Sequence, residues 1–239
     1  MRDKPALIRL RECFTAVRDI ASISDIIPDA HIRQFTFEKP AGFAFTPGQA
    51  VDLSLDKDGW REEKRPFTFT SLPDEDTLQF IIKSYPDHDG VTEQIGKLQA
   101  GDKVLIEDPW GAIEDKGDGI FIAGGAGVTP FISILRKKLQ DKGTLEGNTL
   151  VFSNQTEADI ILKDEFDAMP GLAVVYTVTD EPDSGYARGQ VDASFLKDMV
   201  DVEGDVVYVC GPDGMVEALP REVAELGVPK DHVVTEEFD

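Results

Sequence analysis

The sequence predicts two domains: a six-stranded antiparallel β-barrel over residues 1–113, then a doubly wound α/β unit with a five-stranded parallel sheet over residues 114–239. Three observations lead there. A chain of 239 residues exceeds the common single-domain size, and its 41% apolar residues suffice for a full core. Up to about Ile113 it consists of short extended runs set between turn sequences, the pattern of a small antiparallel barrel. From about Ile120 continuous apolar runs alternate with helical periodicity, which implies parallel strands covered on both faces.

The strand candidates of the first half are residues 7–18, 32–38, 51–55, 66–70, 78–83 and 103–107. They are punctuated by "KPAGFAFTPG", "DKDG", "LPDED", "PDHDG" and "AGD". One helix interrupts them over residues 90–98, with Thr92 as the expected N-cap before apolar Ile95 and Leu98. The turn-rich, polar "GAIEDKGDG" at 111–119 is the expected linker. Beyond it "GIFIAGG" runs into a glycine turn, and "VTPFISILRKKLQ" sets Phe131, Ile134, Leu135 and Leu139 on one helical face. Then follow a strand "TLVFS", a helix over 158–169 stopped by Pro170 and Gly171, and a strand "LAVVYTV". A helix over 193–199, a strand "DVVYVC", a helix over 215–226 and a last strand "HVVT" complete the alternation.

Charge and cysteine content exclude classes of partner. The 46 Asp and Glu against 24 Lys and Arg give −22, a field that repels nucleic-acid phosphates and anionic membrane surfaces. Residues 1–113 hold 14 basic and 20 acidic residues and the remainder 10 and 26, so the excess belongs to the second half. A solvated surface, adaptation to high salt and a docking face for a basic partner are the open readings. No run approaches the roughly 18 apolar residues of a membrane helix, so no membrane insertion is expected. "MRDKPALIRLRECF" has no apolar leader core, and a cytoplasmic protein is expected. Cys13 and Cys210 lack disulfide or metal spacing, and His31, His88 and His232 share none either, so no metal site is expected.

A doubly wound sheet binds its ligand beyond the C-terminal strand ends, commonly at a glycine turn into a helix. "AGGAGVTP" at 123–130 is such a turn, where glycines let the backbone approach a pyrophosphate and free N–H groups attract it. A second follows another buried strand at "YVCGPDGM", with Cys210 and Gly211. One such turn is as readily a tight strand–helix packing; two in one sheet point to a nucleotide. In the first half, "RPFTFTS" alternates like a half-buried strand yet carries Arg65, Thr68 and Ser71. By alternation alone Phe67 and Phe69 read as core, and Cys210 as a small buried hydrophobe.

Taken in order, "FTPGQ", "RPFTFTS", "GVTEQIGKLQAGDKVLIEDPWG", "GGAGVTPFISIL", "VCGPDGM" and the terminal "TEEF" resemble the motifs of the ferredoxin-NADP reductase-like superfamily, over essentially the whole chain. The resemblance implies a flavin-binding barrel, a nicotinamide-nucleotide domain, and hydride transfer from NAD(P)H to FAD. It implies that Arg65 pairs with the flavin phosphate, that Phe67 lies against the isoalloxazine, that Thr68 hydrogen-bonds near its reactive edge, and that Ser71 ends the signature. Gly90, Val91 and Thr92 would meet the diphosphate. Gly125, Gly127 and Thr129 would receive the nicotinamide nucleotide, with Cys210 and Gly211 beside the nicotinamide. Glu236 and Phe238 match the family's C-terminal acid and aromatic, Phe238 shielding the flavin. Thr68, Cys210, Glu236 and Phe238 are thus the expected catalytic set.

Phe67 and Thr68 stand where the family more often has Tyr and Ser, which removes one phenolic contact to the flavin. NADH is favoured over NADPH, because the strand ends near the adenosine ribose offer Ser153, Asn154, Gln155, Asp180 and Glu181 without a cation, Arg188 being the nearest. Electrons then pass to a separate acceptor: a ferredoxin, a flavodoxin, another redox protein or a small molecule. A stand-alone NAD(P)H:flavin reductase is the alternative within the class, and a non-catalytic docking or regulatory subunit of a redox complex is the alternative outside it.

Overall fold

The computed structural model describes residues 16–27, 30–86, 88–111 and 113–235. The first half forms six antiparallel strands: β1 (Ala16–Ile27), β2 (Ile32–Glu38), β3 (Ala50–Leu55), β4 (Arg65–Thr68), β5 (Thr77–Lys83) and β6 (Lys103–Ile106). Their neighbour order is β4-β3-β6-β1-β2-β5, which leaves β4 and β5 as the two edges. The chain just beyond β4 ties those edges together. Thr70 N–H donates to the Gln79 carbonyl at 2.8 Å, and Gln79 N–H donates to the Ser71 hydroxyl oxygen at 3.0 Å. The sheet thereby curls into a barrel.

β1 extends the first strand expectation: it runs on to residue 27 where 18 is expected, and residues 7–15 of the expected 7–18 lie outside the described residues. It serves two neighbours, pairing with β6 through Ala16–Asp19 and with β2 from Ile20 onward, with a register shift between Ile20 and Ser22. Alternation in 20–27 is diluted by small and polar residues, so pairing, a long-range property, decides the strand there. Inside the barrel Phe35, Phe37, Phe69 and Phe80 are all at most 2% exposed, and Phe69 stacks on Phe45 with centroids 4.1 Å apart. Each such ring stabilises the fold by roughly 1.5–3 kcal/mol of burial. The helix α1 (Val91–Gly96) plugs one end, with Val91 and Ile95 buried four residues apart on its inner face. That register makes Gly90 the N-cap and moves Thr92, the expected cap, into the first turn.

The second half runs β7 (Gly119–Gly124), α2 (Thr129–Lys142), β8 (Thr149–Asn154), α3 (Lys163–Ala168), β9 (Ala173–Val178), β10 (Ala187–Arg188), α4 (Ala193–Leu196), β11 (Val206–Cys210), α5 (Asp213–Glu225) and β12 (Val233–Thr235). The sheet is parallel, in the order β10-β9-β8-β7-β11-β12. It has six strands where five are expected. The extra one, β10, is two exposed residues paired with Thr177 and Val178, with no apolar run to betray it. β7 and β11 are buried throughout, because Phe131, Leu135 and Phe166 cover one face while Leu196, Leu219 and Val223 cover the other.

The helix expected over 158–169 is broken in two. Thr156 and Asp159 cap each other around a 3-10 turn at Glu157–Asp159, buried Ile160 and Ile161 pin the chain to the core, and Leu162 turns left-handed (φ 52°) before α3. The polar segment expected as a linker is fastened to the base of this sheet. Lys138, only 3% exposed, donates to Asp115 at 2.9 Å and to the Gly117 carbonyl at 2.7 Å, and pairs with Asp118 at 2.9 Å. Burial alone would raise the Asp118 carboxyl, but hydrogen bonds from Lys142, Lys138 and Asn148 outweigh it and lower the pKa to about 2. Among the described residues no helix is long and apolar enough to cross a membrane.

Candidate functional site

The two glycine turns leave adjacent strands. Ala123 at the end of β7 pairs with Cys210 at the end of β11, so the turns begin side by side. β8 flanks β7 on one side and β11 on the other, which makes this the switch point where an open α/β sheet leaves a crevice. The turns are also pressed together. A Cβ on Gly127 would lie 2.4 Å from the Cys210 carbonyl oxygen, and one on Gly124 would lie 2.6 Å from Pro212 Cδ. Gly125 differs, since its φ of +52° is what requires glycine, while the space where a side chain would stand is open. The Thr129 hydroxyl donates to the Ala126 carbonyl at 3.0 Å and holds the turn against the start of α2.

These turns form one wall of a cavity of about 1170 Å³, and the barrel forms the other. That exceeds the roughly 300–1,000 Å³ of a single small-ligand site and suits two cofactors meeting. From the barrel come Pro66, Phe67 and Thr68 at the end of β4, Lys83 of β5 and Thr92 of α1. From the sheet come Gly125, Gly127, Thr129, Cys210 and Gly211. Phe67 serves two purposes, lining the cavity while packing on the barrel core. Cys210 is 1% exposed and Thr68 6% exposed, so both would meet a ligand out of bulk water.

Four expected residues do not line the cavity. Ser71 is fully buried and its oxygen accepts Gln79 N–H, so it closes the barrel seam and does not face the cavity. The Val91 side chain is 1% exposed in the barrel core, and Gly90 precedes it outside the cavity wall; of this trio Thr92 reaches the cavity. Arg65 is exposed, donates to the Lys64 carbonyl at 2.6 Å and makes no ion pair among the described residues. Glu236 and Phe238 lie outside the described residues.

The sequence reading omitted Lys83, which pairs with Asp159 at 3.6 Å across the cavity and is the one cation in its wall among the described residues. Nothing in its own strand distinguishes it from a solvated lysine. Asp192 and Glu222 also line the cavity, but each is engaged as a cap, accepting Phe195 N–H and Ala193 N–H at 2.8 Å. Asn154, 6% exposed in the wall, has neither its Nδ2 nor its Oδ1 hydrogen-bonded, so a buried donor and acceptor are left for a ligand. Beyond it, Glu181 accepts Glu157 N–H at 2.7 Å, and Glu157 accepts from Ser184 at 2.5 Å and Gly185 at 3.2 Å.

The residues present fit a flavin dinucleotide on the barrel and a nicotinamide dinucleotide on the sheet: glycine turns open to the cavity, the unbonded Asn154 amide and the aromatic wall of Phe67. Such a cleft defines a two-cofactor oxidoreductase. Comparison with known proteins is specific. An oxidoreductase FAD-binding domain model matches residues 18–114, and an oxidoreductase NAD-binding domain model matches residues 121–220. Ferredoxin–NADP reductase B of Sorangium cellulosum is 32% identical over 227 residues, covering 87% of this chain and 92% of that one. NADH-cytochrome b5 reductase 1 of Candida glabrata is 31% identical over 196 residues, covering 76% and 68%. Among solved structures, the Amycolatopsis cytochrome P450 reductase superposes with a TM-score of 0.81 at 25% identity, covering 95% of this chain and 70% of that one. The chain belongs to the ferredoxin reductase-like family of FAD- and NAD-binding oxidoreductases.

Proposed function

We propose that the protein accepts hydride from a nicotinamide nucleotide onto FAD and delivers the electrons to a separate redox protein. One observation carries this reading: the end of β4 and both glycine turns open into the same cavity from opposite domains. Bound FAD would supply the two-electron chemistry, taking hydride and releasing electrons to the acceptor. The chain's own residues position and exclude. Arg65 offers its guanidinium to a flavin phosphate, Phe67 walls the ring, and Thr68 donates or accepts a hydrogen bond at its edge. Thr92 approaches the diphosphate, with the backbone of Gly90 and Val91 beside it. Gly125, Gly127 and Thr129 seat the nicotinamide nucleotide, while Cys210 and Gly211 border the nicotinamide in a water-poor corner. Glu236 and Phe238 complete the catalytic set with Thr68 and Cys210. We place the domain boundary at residues 113 and 114 and the protein in the cytoplasm, where pyridine nucleotide is supplied.

NADH is the proposed donor. The nucleotide side of the cavity presents Asp192 and Glu222, with Glu157 and Glu181 beyond, and the one cation in the wall among the described residues, Lys83, is already paired with Asp159, so a 2′-phosphate meets acids. The two relatives are named for ferredoxin and cytochrome b5 chemistry, which supports a protein acceptor. The test is the spectrum of purified protein, identification of the released flavin, and anaerobic addition of NADH or NADPH. Bound FAD bleached by NADH is expected. A colourless protein that takes up no flavin refutes the proposal, activity strictly dependent on free flavin indicates the stand-alone flavin reductase, and bound flavin that neither nucleotide bleaches indicates the docking subunit.

A further inference from the structure

We infer that Arg136 is a positioning residue, the clamp that sets the two halves of the cavity at reacting distance; this rests on the proposed function. Arg136 lies on α2, which begins at Thr129 directly after the glycine turn. Seven residues separate it from Thr129, about 10 Å along the helix axis. Its guanidinium joins three places. Nε and Nη2 donate to the two oxygens of Glu165 at 2.6 and 2.8 Å, a bidentate pair that fixes its plane. Nη1 donates to the Thr70 carbonyl at 2.6 Å and to Gln79 Oε1 at 3.1 Å. Gln79 Oε1 also accepts the Thr70 hydroxyl at 2.9 Å. Thr70 is fully buried and stands two residues past Thr68.

A short, stiff path therefore links the flavin side of the cavity, through Thr70 and Arg136, to the nucleotide turn at the head of α2. The same helix face carries two further ties at helical spacing. Gly48 N–H donates to the buried Ser133 hydroxyl oxygen at 3.0 Å, and Gln140 donates to Asp74 at 2.9 Å. None of these residues lines the cavity. Their effect on hydride transfer is geometric, and reacting groups misplaced by about 1 Å lose on the order of 100-fold in rate.

The experiment is anaerobic stopped-flow bleaching of the holoenzyme by saturating NADH, with FAD content, NADH affinity and the charge-transfer absorbance recorded together. Arg136→Gln should keep its FAD and bind NADH within about three-fold of the parent, yet bleach at least about 10-fold more slowly and show a weaker charge-transfer band. Arg136→Lys, which can reach Thr70 without the bidentate pair, should fall between. Bleaching within two-fold of the parent overturns the inference, as does a slower rate matched by equal loss of FAD. If the Arg136 variants fail to fold, Ser133→Ala and Glu165→Gln decide it, and parental limiting rates in both overturn the clamp. A parent that holds no FAD, or is not bleached, refutes the functional reading and this one together; a bleached parent with unaffected variants refutes the clamp alone.

Discussion

Gly127→Ala tests whether the two glycine turns form a single packed unit. The new Cβ would stand 2.4 Å from the Cys210 carbonyl oxygen and 2.6 Å from Gly211 N, where ordinary contact begins near 3.4 Å. Both obstacles are backbone at the end of a fully buried strand, so no side chain can swing aside. The turns must separate by about 1 Å, and overpacking of this kind costs about 1–3 kcal/mol. For a chain of this size that lowers the melting temperature by roughly 2–12 °C. In the proposed function the displaced turn faces the nicotinamide, so flavin reduction by NADH should slow on the order of 10- to 100-fold while FAD content holds, the barrel being untouched. Urea unfolding and anaerobic reduction read the two effects. Gly185→Ala is the control, since open space surrounds its Cβ and no left-handed φ is involved; it should stay within about 0.5 kcal/mol of the parent. A Gly127→Ala protein as stable and as fast as the parent would refute the packing argument.

Arg65→Gln should weaken FAD binding on the order of 10- to 100-fold, the loss of charge-assisted hydrogen bonds to phosphate, read by fluorescence of released flavin; unchanged affinity removes Arg65 from the site. Stability should fall with acid through Asp118. Its folded pKa of about 2 lies below the ordinary aspartate value of 3.8, so its contribution is complete above about pH 4 and disappears as pH drops toward 2. Because its side chain is 42% exposed, the contribution is about 1 kcal/mol after solvent screening, and Asp118→Asn should flatten that segment of the denaturation profile. Glu181→Arg, which replaces an acid beside the proposed ribose site with a phosphate-binding cation, should raise kcat/KM for NADPH relative to NADH at least about 10-fold. An unchanged ratio argues against that placement of the adenosine.

Much of the architecture is legible in one sequence because it is written in local chemistry. β2 falls on Ile32–Glu38 as its alternation dictates, and the buried runs of β7 and β11 are continuous apolar segments ending in glycine. What escaped are elements whose existence depends on a distant partner. β10 is two exposed residues held by β9, and α3 is short because Leu162 turns left-handed between buried Ile161 and the helix start. Neither carries a periodic signal of its own.

The candidate site divides the same way. Spacing and residue type marked the two glycine turns and the hydroxyl of Thr68 on a half-buried strand, while the roles of Phe67, Thr129 and Cys210 came from the family resemblance, Phe67 and Cys210 reading as core on their own. Only the tertiary structure decided that Ser71 closes the barrel seam, that Lys83 meets Asp159 across the cavity, and that Arg136 bridges to Thr70 over 66 residues of sequence. A hydroxyl or a cation looks identical in sequence whether it meets ligand, water or backbone. Its role is fixed by which distant atoms the packed core brings within hydrogen-bonding distance, and that is a property of the closed fold.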